Sequence, residues 1–419
     1  TIVAGIVARD GLEGLMTATI LAGVFLIIMG FCHFGSLIKF IPYTITTGFT
    51  SGIAVTIVIG QLKDFCGVTY PDGVKPIETM EKLKAFAENF STISPDALIV
   101  GGVSLAILIV SPLIFKRIPG SLIAVIVGIL MVQFLPLHVS TIGNLYTISN
   151  ALPTLHLPVF DMKLIQSAIP NAFTIAVLAA IESLLSCVVA DGMINSKHRS
   201  DTELIAQGAG NIASALFGGI PATGAIARTA ANIKNSGRTP VAGIVHSITL
   251  VIVLVVLMPF AGMIPMPTIA AILFLVAYNM CQWRTFVHLV RTAPKSDIIV
   301  LFTTFVLTVV FDLVVAIEIG MVLACLLFIK RMSEETHADS WVYVDDDSPA
   351  VDEHLQKLPL EIRVYEITGP LFFGAADAIE HIVVKDFTKC LVLRMRSVPA
   401  IDSTAMNALQ NLTKLCESK

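Results

Sequence analysis

Charged residues are scarce in this sequence of 419 residues. They make up 14% of the chain, whereas hydrophobic residues make up 55%, and ordinary soluble domains carry about 25% charged residues. Apolar runs of about 20 residues, the length that crosses a hydrocarbon core of about 30 Å, recur along most of the chain. The composition therefore excludes an ordinary soluble domain and predicts a polytopic membrane protein.

Motifs for redox, metal and nucleotide chemistry are also absent from the sequence. The seven cysteines form no CxxC pair and have no metal-ligand spacing, so we interpret them as small packing residues and not as a disulfide framework. No GxxxxGKS/T loop occurs, which argues against direct use of ATP by this chain. We predict no enzyme activity, no cofactor, no metal site and no nucleic-acid partner.

The two ends of the sequence lack the usual signs of a complete membrane protein. Thr1 is followed directly by an apolar stretch, with no initiator Met and no charged region before it, which argues against a signal peptide. This stretch is typical of the second half of a spanning helix, and the chain stops abruptly at Lys419. We therefore expect a chain that is truncated at both ends, with its first spans missing.

The apolar runs predict membrane spans that are separated by short polar gaps. Basic residues cluster in alternate gaps, for example at Lys197 and Arg199, whereas the segment 138–162 has no Lys or Arg. By the positive-inside rule, the basic gaps and the C-terminal tail are cytoplasmic. The predicted spans are 14–34, 44–62, 98–115, 120–137, 165–192, 203–218, 222–234 (short), 240–262, 267–281, 297–312 and 314–329.

The character of the sequence changes after Arg331. Residues 338–358 are acidic and polar, and they are followed by two strand-like runs, LEIRVYEIT and KCLVLRM, each with a helical stretch behind it. Strands alternating with helices on a polar background predict a small α/β domain. The predicted domains are a transmembrane domain at 1–332, a linker at 333–358 and an incomplete α/β domain at 359–419.

The stretch from Gly210 to Gly243 is rich in helix-breaking residues although it lies between long apolar runs. Backbone that breaks at membrane depth is tolerated only where it is buried in protein or faces a watery cavity. We predict a half-helix that begins near Thr223, with its open N–H groups and positive dipole end in that cavity. The open N–H groups, the Thr223 hydroxyl and the Arg228 guanidinium would together suit an oxyanion or a carboxylate, and the predicted substrate-binding residues of this stretch are Ala222, Thr223, Gly224, Ala225 and Arg228.

Glu182 is an ionisable residue deep in an otherwise apolar run, where it shares a helix face with Ser186 and adjoins Ser183. An intramembrane carboxyl normally faces a bundle interior or a cavity. We predict that Glu182 couples transport to a proton or a cation and that both serines line the substrate site. The alternatives are a Glu182 carboxyl held only by interhelical hydrogen bonds, and an Arg228 that pairs with Glu182 or reaches the cytoplasmic surface.

Small residues at Gly210, Ser214 and Gly218 recur at every fourth position of the run before the half-helix. This spacing is typical of a ridge that lets two membrane helices approach closely. We predict that this ridge packs against a neighbouring helix.

Four sequence blocks, at 41–62, 179–193, 203–244 and 277–286, resemble the SulP family of anion transporters, the sulfate permease or solute carrier 26 group. The third block, ELIAQGAGNIASALFGGIPATGAIARTAANIKNSGRTPVAGI, is long and specific. The tail at 359–409 resembles the STAS domain that members of this family carry on the cytoplasmic side. The resemblance runs from end to end of the chain.

This resemblance implies an all-α membrane domain of fourteen spans, built as two inverted seven-span repeats with a core and a gate domain, usually in a homodimer. Residue 1 then falls inside the third span, so one of two facing half-helices is absent, while the second half-helix (222–229) and the eighth-span wall with Glu182 are present. An acid at this position is linked in the family to proton or sodium coupling. In related STAS domains a Ser after Asp can be phosphorylated, which makes Ser403 a possible regulatory site, against the alternative of a plain helix cap by Asp402 or Ser403.

The sequence therefore predicts secondary active transport of a small anion such as sulfate, bicarbonate or a dicarboxylate, by proton symport with an elevator-type mechanism. The expected partners are the anion, a coupling proton or sodium ion, membrane lipid, a second copy of the chain and a cytoplasmic partner of the STAS domain. The expected location is the cell membrane, such as a bacterial inner membrane. The alternatives are a nucleobase or ascorbate transporter, sodium-coupled bicarbonate uptake, and a membrane anchor for a signalling tail.

Overall fold

The structure of the protein is a computed structural model, and it is mostly helical. The structure describes residues 2–36, 41–71, 73–74, 76–114, 118–148, 150–157, 162–311, 313–341, 361–380, 382, 384 and 387–418. Most of the predicted linker, at 342–358, lies outside the described residues.

The predicted spans all coincide with helices, and their ends differ mostly by a few residues. The helices in chain order are α1 (Ile2–Phe31), α2 (Tyr43–Cys66), α3 (Thr79–Glu88), α4 (Pro95–Ile114), α5 (Gly120–Phe134), α6 (Ile142–Leu145), α7 (Met162–Ile194), α8 (Ser200–Leu216), α9 (Ile226–Lys234), α10 (Val241–Ile252), α11 (Met258–Ala261), α12 (Met266–Cys281), α13 (Trp283–Thr292), α14 (Lys295–Val310), α15 (Leu313–Glu334), α16 (Asp377–Glu380) and α17 (Ser403–Ser418).

Six helical segments among the described residues are long and apolar enough to cross a membrane. Three of them contain a break that the hydropathy alone did not show. Gly11 divides α1 with a φ of 71°, a conformation that favours glycine. A π-helical turn, Val253–Leu257, separates α10 from α11, and Gln282, at a φ of 43°, separates α12 from α13.

A first group of helices comprises α1, α7, α8 and α9, which pack against one another. The closest approach joins α1 to α8: a Cβ atom added at Gly208 would lie 2.5 Å from the carbonyl oxygen of Gly23. Gly210, the first residue of the predicted ridge, does not make the predicted contact with any helix that the structure describes. A Cβ at Gly210 would meet no atom within 4 Å, because Gly210 is on a different face of α8 from Gly208.

A second group comprises α2, α4, α5, α12 and α14, and among the described residues no helix of the first group makes a substantial contact with a helix of the second. Small residues again allow close packing, since a Cβ atom at Gly48 would lie 2.6 Å from the Leu301 carbonyl oxygen. The buried hydroxyls of Ser104 and Thr268 lie 3.0 Å apart and hydrogen bond to each other. The two groups agree with the core and gate that the resemblance implies.

The C-terminal unit, Val322–Lys419, forms a small α/β structure. Strand β2 (Ile362–Thr368) pairs in parallel with β3 (Cys390–Ser397) and antiparallel with β1 (His337–Trp341), so the sheet order is β1-β2-β3. Residues of β2, β3, α16 and α17 form one apolar core. Strand β1 lies inside the predicted linker, because five residues beside an acidic run gave no strand signal.

Asp402 caps α17, since its Oδ1 accepts a hydrogen bond of 2.8 Å from the Ala405 N–H. Its Oδ2 accepts from the Phe373 N–H at 2.8 Å. Ser403 is exposed at the start of the helix, and its regulatory role stays a prediction.

Candidate anion-binding site

The chain between α8 and α9 is not helical, and it passes between α7 and α8. The short helix α9 begins at Ile226, with Ala225 in an extended conformation as its N-cap. The predicted start near Thr223 is three residues too early. The Thr223 hydroxyl and the Gly224 N–H hydrogen bond to Ser183 of α7, and these bonds hold both residues in the loop before the helix.

On the α7 side, a chain of hydrogen bonds fixes the loop. The Gly224 N–H donates to Ser183 Oγ at 3.0 Å, Ser183 Oγ lies 2.9 Å from Thr223 Oγ1, and Thr223 Oγ1 donates to the Ala179 carbonyl at 3.2 Å. The Gly224 N–H can therefore donate to Ser183, Ser183 to Thr223 and Thr223 to the Ala179 carbonyl. Hydrogen bonds in such a series strengthen one another.

One helical turn further along α7, Ser186 Oγ donates to Thr229 Oγ1 at 3.1 Å. Ser183 and Ser186 are both buried. The structure therefore brings both predicted serines to the half-helix and engages their hydroxyls there. Direct contact of either serine with a substrate stays a prediction.

On the α8 side, two amide side chains bind the Ala222 peptide. Asn211 Oδ1 accepts from the Ala222 N–H at 2.8 Å, and Asn211 Nδ2 donates to the Ala222 carbonyl at 2.9 Å. Gln207 Nε2 donates to the same carbonyl. Neither residue was among the predicted site residues, although a Gln and an Asn four positions apart in a largely apolar helix were a signal for one polar face.

The free N–H groups of the loop differ from those predicted. Open N–H groups were predicted from Ala222 to Ala225, but those of Ala222 and Gly224 donate to Asn211 and Ser183. Within the described chain, the N–H groups of Thr223, Ala225 and Ile226 have no hydrogen-bond partner. They coincide with the positive end of the α9 dipole, where an anion is favoured.

Arg228 and Glu182, the two predicted charged residues, form no ion pair with each other. Arg228 is exposed and Glu182 is half-buried, and neither has a side-chain hydrogen bond to any residue that the structure describes. The alternative in which Arg228 neutralises Glu182 therefore receives no support. Among the described residues, Arg228 on α9 and Glu182 on α7 therefore stay available to bind other groups.

A cavity of about 300 Å³ lies against the α8 side of the loop. It is large enough for a small ion with several waters. Gly210 lines this cavity, which explains why a Cβ atom added there would meet no described atom within 4 Å. The remaining lining residues are Glu203, Ala206, Gln207, Asn211, Ala222, Thr223 and Gly224.

Many apolar helices, a broken helix with free N–H groups and a small terminal α/β unit define a polytopic membrane transporter. The chain belongs to the Sulfate permease family, whose profile matches residues 1–304, and the STAS domain profile matches residues 356–419. The family that the sequence blocks indicated is thereby confirmed. The expectation of a transporter instead of an enzyme is confirmed as well.

Similar proteins cover nearly the whole chain. YvdB of Bacillus subtilis (strain 168), a protein named after sulfate transport, is 37% identical over 97% of this chain and 76% of its own length. The bicarbonate transporter BicA of Picosynechococcus sp. is 34% identical over 96% of this chain and 72% of its own.

Solved structures agree with the fold. The transmembrane domain of a cyanobacterial BicA superposes with a TM-score of 0.65 at 32% identity, covering 75% of this chain and 80% of that chain. SLC26A9 superposes with a TM-score of 0.81 over 98% of this chain and 69% of that chain, and at 20% identity it supports the fold alone.

Proposed function

We propose that this protein is a secondary active transporter of small oxyanions, with sulfate as the first candidate and bicarbonate as the second. The observation that supports the proposal most strongly is the loop before α9. The loop is fixed from both sides, yet the N–H groups of Thr223, Ala225 and Ile226 have no hydrogen-bond partner in the part of the chain that the structure describes. Such preorganised donors at a helix start suit an anion.

Relatives guide the choice of substrate. One similar protein is named after sulfate transport and another is named as a bicarbonate transporter. Both anions are small and offer several oxygen acceptors to N–H donors. Arg228, which has no described partner, adds charge-assisted hydrogen bonds to the same anion. A dicarboxylate is the third candidate, because each of its ends presents a similar carboxylate.

Glu182 couples the transport to protons in this proposal. The carboxyl is half-buried on α7 and has no partner among the described side chains, so it is free to take up and release a proton. Sodium-coupled bicarbonate uptake is the alternative. Sodium requires several oxygen ligands, by analogy with other hard cations, whereas the hydroxyls of Ser183 and Ser186 are already engaged by the half-helix. Proton symport is therefore the better-supported choice.

The transport cycle proposed is an elevator movement of the first helix group relative to the second, in a homodimer. Because α7, α8 and α9 are joined through the loop by side-chain hydrogen bonds, they would move as one body with the bound anion. A nucleobase or ascorbate transporter remains the rival within the fold. An uncharged base has no use for an unpaired Arg228.

Uptake by proteoliposomes tests the proposal. The protein is reconstituted and supplied with labelled sulfate, bicarbonate, fumarate or uracil, with and without a gradient of protons or of sodium. Accumulation of sulfate or bicarbonate under a proton gradient is the expected result. Uracil uptake that no anion inhibits would overturn the substrate class, and accumulation that follows only the sodium gradient would overturn the coupling.

A further inference from the structure

Both the N–H and the carbonyl of Ala222 are hydrogen bonded, and Asn211 provides most of these bonds. The Asn211 side chain is only 1% exposed. Its amide both accepts from the Ala222 N–H, at 2.8 Å, and donates to the Ala222 carbonyl, at 2.9 Å. One side chain thus pairs with one residue's donor and acceptor in the way that a neighbouring β-strand would.

Helix α8 itself orients this amide. Asn211 Nδ2 also donates to the Gln207 carbonyl, at 2.9 Å, one turn earlier on α8. The Gln207 side chain donates to the Ala222 carbonyl as well, so that this oxygen has two amide donors. Asn211 belongs to the buried face of α8, together with Leu204, Gly208 and Ala215. The Asn211 side chain is thereby bonded to its own helix and to the loop at the same time.

The pairing determines which N–H groups stay free. With the Ala222 N–H and carbonyl bonded to Asn211 of α8, and the Gly224 N–H bonded to Ser183 of α7, the backbone between them is anchored at both ends. The free N–H groups of Thr223 and Ala225 are then presented in one orientation. A preorganised set of donors binds an anion more tightly than a set that must first be ordered.

We infer that Asn211, assisted by Gln207, is a positioning residue for anion recognition: its amide fixes the Ala222 peptide so that the neighbouring N–H groups face the anion. This inference rests on the proposed function, because it assigns Asn211 a role in that same site. Asn211 does not touch the anion in this account. It acts through the loop.

Two substitutions separate this role from a purely structural one. Asn211→Ala removes both hydrogen bonds and should raise the Kd for sulfate by about tenfold, at every pH. Asn211→Asp retains the acceptor but loses the donor when ionised. A protonated carboxyl has an acceptor and an O–H donor, like the amide. Its Kd, relative to that of the parent protein at the same pH, should therefore be raised at about pH 8 and should recover as the pH falls to about 4, where an aspartic acid takes up its proton.

The measurement is equilibrium binding of labelled sulfate to the purified protein, together with its thermal unfolding. Asn144→Asp is the matched control, because Asn144 is exposed on the short helix α6, away from the loop. A pH-dependent recovery that appears with Asn211→Asp, and with neither Asn211→Ala nor the control, supports the inference. An unchanged Kd in both Asn211 variants overturns it.

If the Asn211 variants do not fold, Gln207→Met decides. This variant removes only the second donor to the Ala222 carbonyl, and an increase of about threefold in the sulfate Kd is expected. A Kd equal to that of the parent protein would overturn the inference. Failure of the parent protein itself to bind any oxyanion would instead overturn the proposed function, so the two failures are distinguishable.

Discussion

The two helix groups use the same packing device but differ in their polar contacts. Both place glycine against backbone, at Gly23 and Gly208 in the first group and at Gly48 in the second. In the second group, buried hydroxyls hydrogen bond between regular helices, as Ser104 and Thr268 do. In the first group, hydroxyls and amides bind a stretch of backbone that has left the helix.

This difference shows what an interrupted helix requires in an apolar environment. Unpaired backbone groups are costly there, so each must find a side chain or water. The first group provides partners for the Ala222 peptide and the Gly224 N–H, yet it leaves the Thr223 and Ala225 N–H groups without a described partner. The donors that remain free indicate where a ligand belongs, and the second group shows no comparable set among its described residues.

The largest expected effect is the loss of proton coupling in Glu182→Gln. The amide retains the shape of the side chain but cannot carry a proton. For one proton per anion, a pH difference of about one unit supports up to about tenfold accumulation, because one unit corresponds to about 1.4 kcal/mol. The variant should bring sulfate only to equal concentrations across proteoliposomes, while sulfate exchange continues. Glu318→Gln, at an exposed position of α15, is the control; accumulation by Glu182→Gln equal to that of the control would remove Glu182 from the coupling.

A second prediction concerns the packing between α1 and α8. In Gly208→Ala the new Cβ atom would lie 2.5 Å from the Gly23 carbonyl oxygen, so the helices must separate. We expect a loss of about 1–3 kcal/mol in stability, measured as a lower thermal unfolding temperature in detergent. Gly243→Ala is the matched control, since a Cβ atom at Gly243 meets nothing within 4 Å. Equal unfolding temperatures for the two variants would contradict the close approach.

Arg228 is expected to contribute to affinity and not to stability. Arg228→Ala should raise the Kd for sulfate by about tenfold, because hydrogen bonds to charged groups are worth about 1.5–3 kcal/mol. Arg228→Lys retains the charge without the planar fork and should give an intermediate Kd. Binding measured by isothermal titration checks both variants. An Arg228→Ala protein with the parent affinity would show that the guanidinium does not reach the anion.

The smallest effect is expected in the second helix group. Ser104→Ala removes the hydrogen bond to Thr268, and bonds of this kind between membrane helices are worth about 0.6 kcal/mol. A slightly lower unfolding temperature with an unchanged sulfate Kd is expected. A raised Kd would mean that the second group contributes to the site, and the contrast between the two groups would then be wrong.

The sequence predicted the helices and the break well, because length, hydropathy and helix-breaking residues act locally. The helix after Gln282 was missed, because WRTFVHLVRT is too polar for a span. The start of α9 was placed three residues early. Its true start depends on bonds to Ser183, which is 41 positions away from Gly224 in the sequence.

The candidate site was only half visible in the sequence. Glu182 and Ser183 stood out because polar residues are rare in an apolar run. Asn211 did not, because no spacing rule relates it to Ala222, and because α8 carries small residues on more than one face. The choice between Gly208 and Gly210 as the packing position depends on where α1 lies, which is tertiary information.

Locating a bound anion tests the central claim most directly. The protein is crystallised with selenate, a sulfate analogue whose selenium atom gives an anomalous signal. The account predicts a peak whose oxygen atoms lie about 3 Å from the backbone nitrogen atoms of Thr223 and Ala225. Selenate found only at surface lysines and arginines, with those two N–H groups bonded to protein instead, would contradict it.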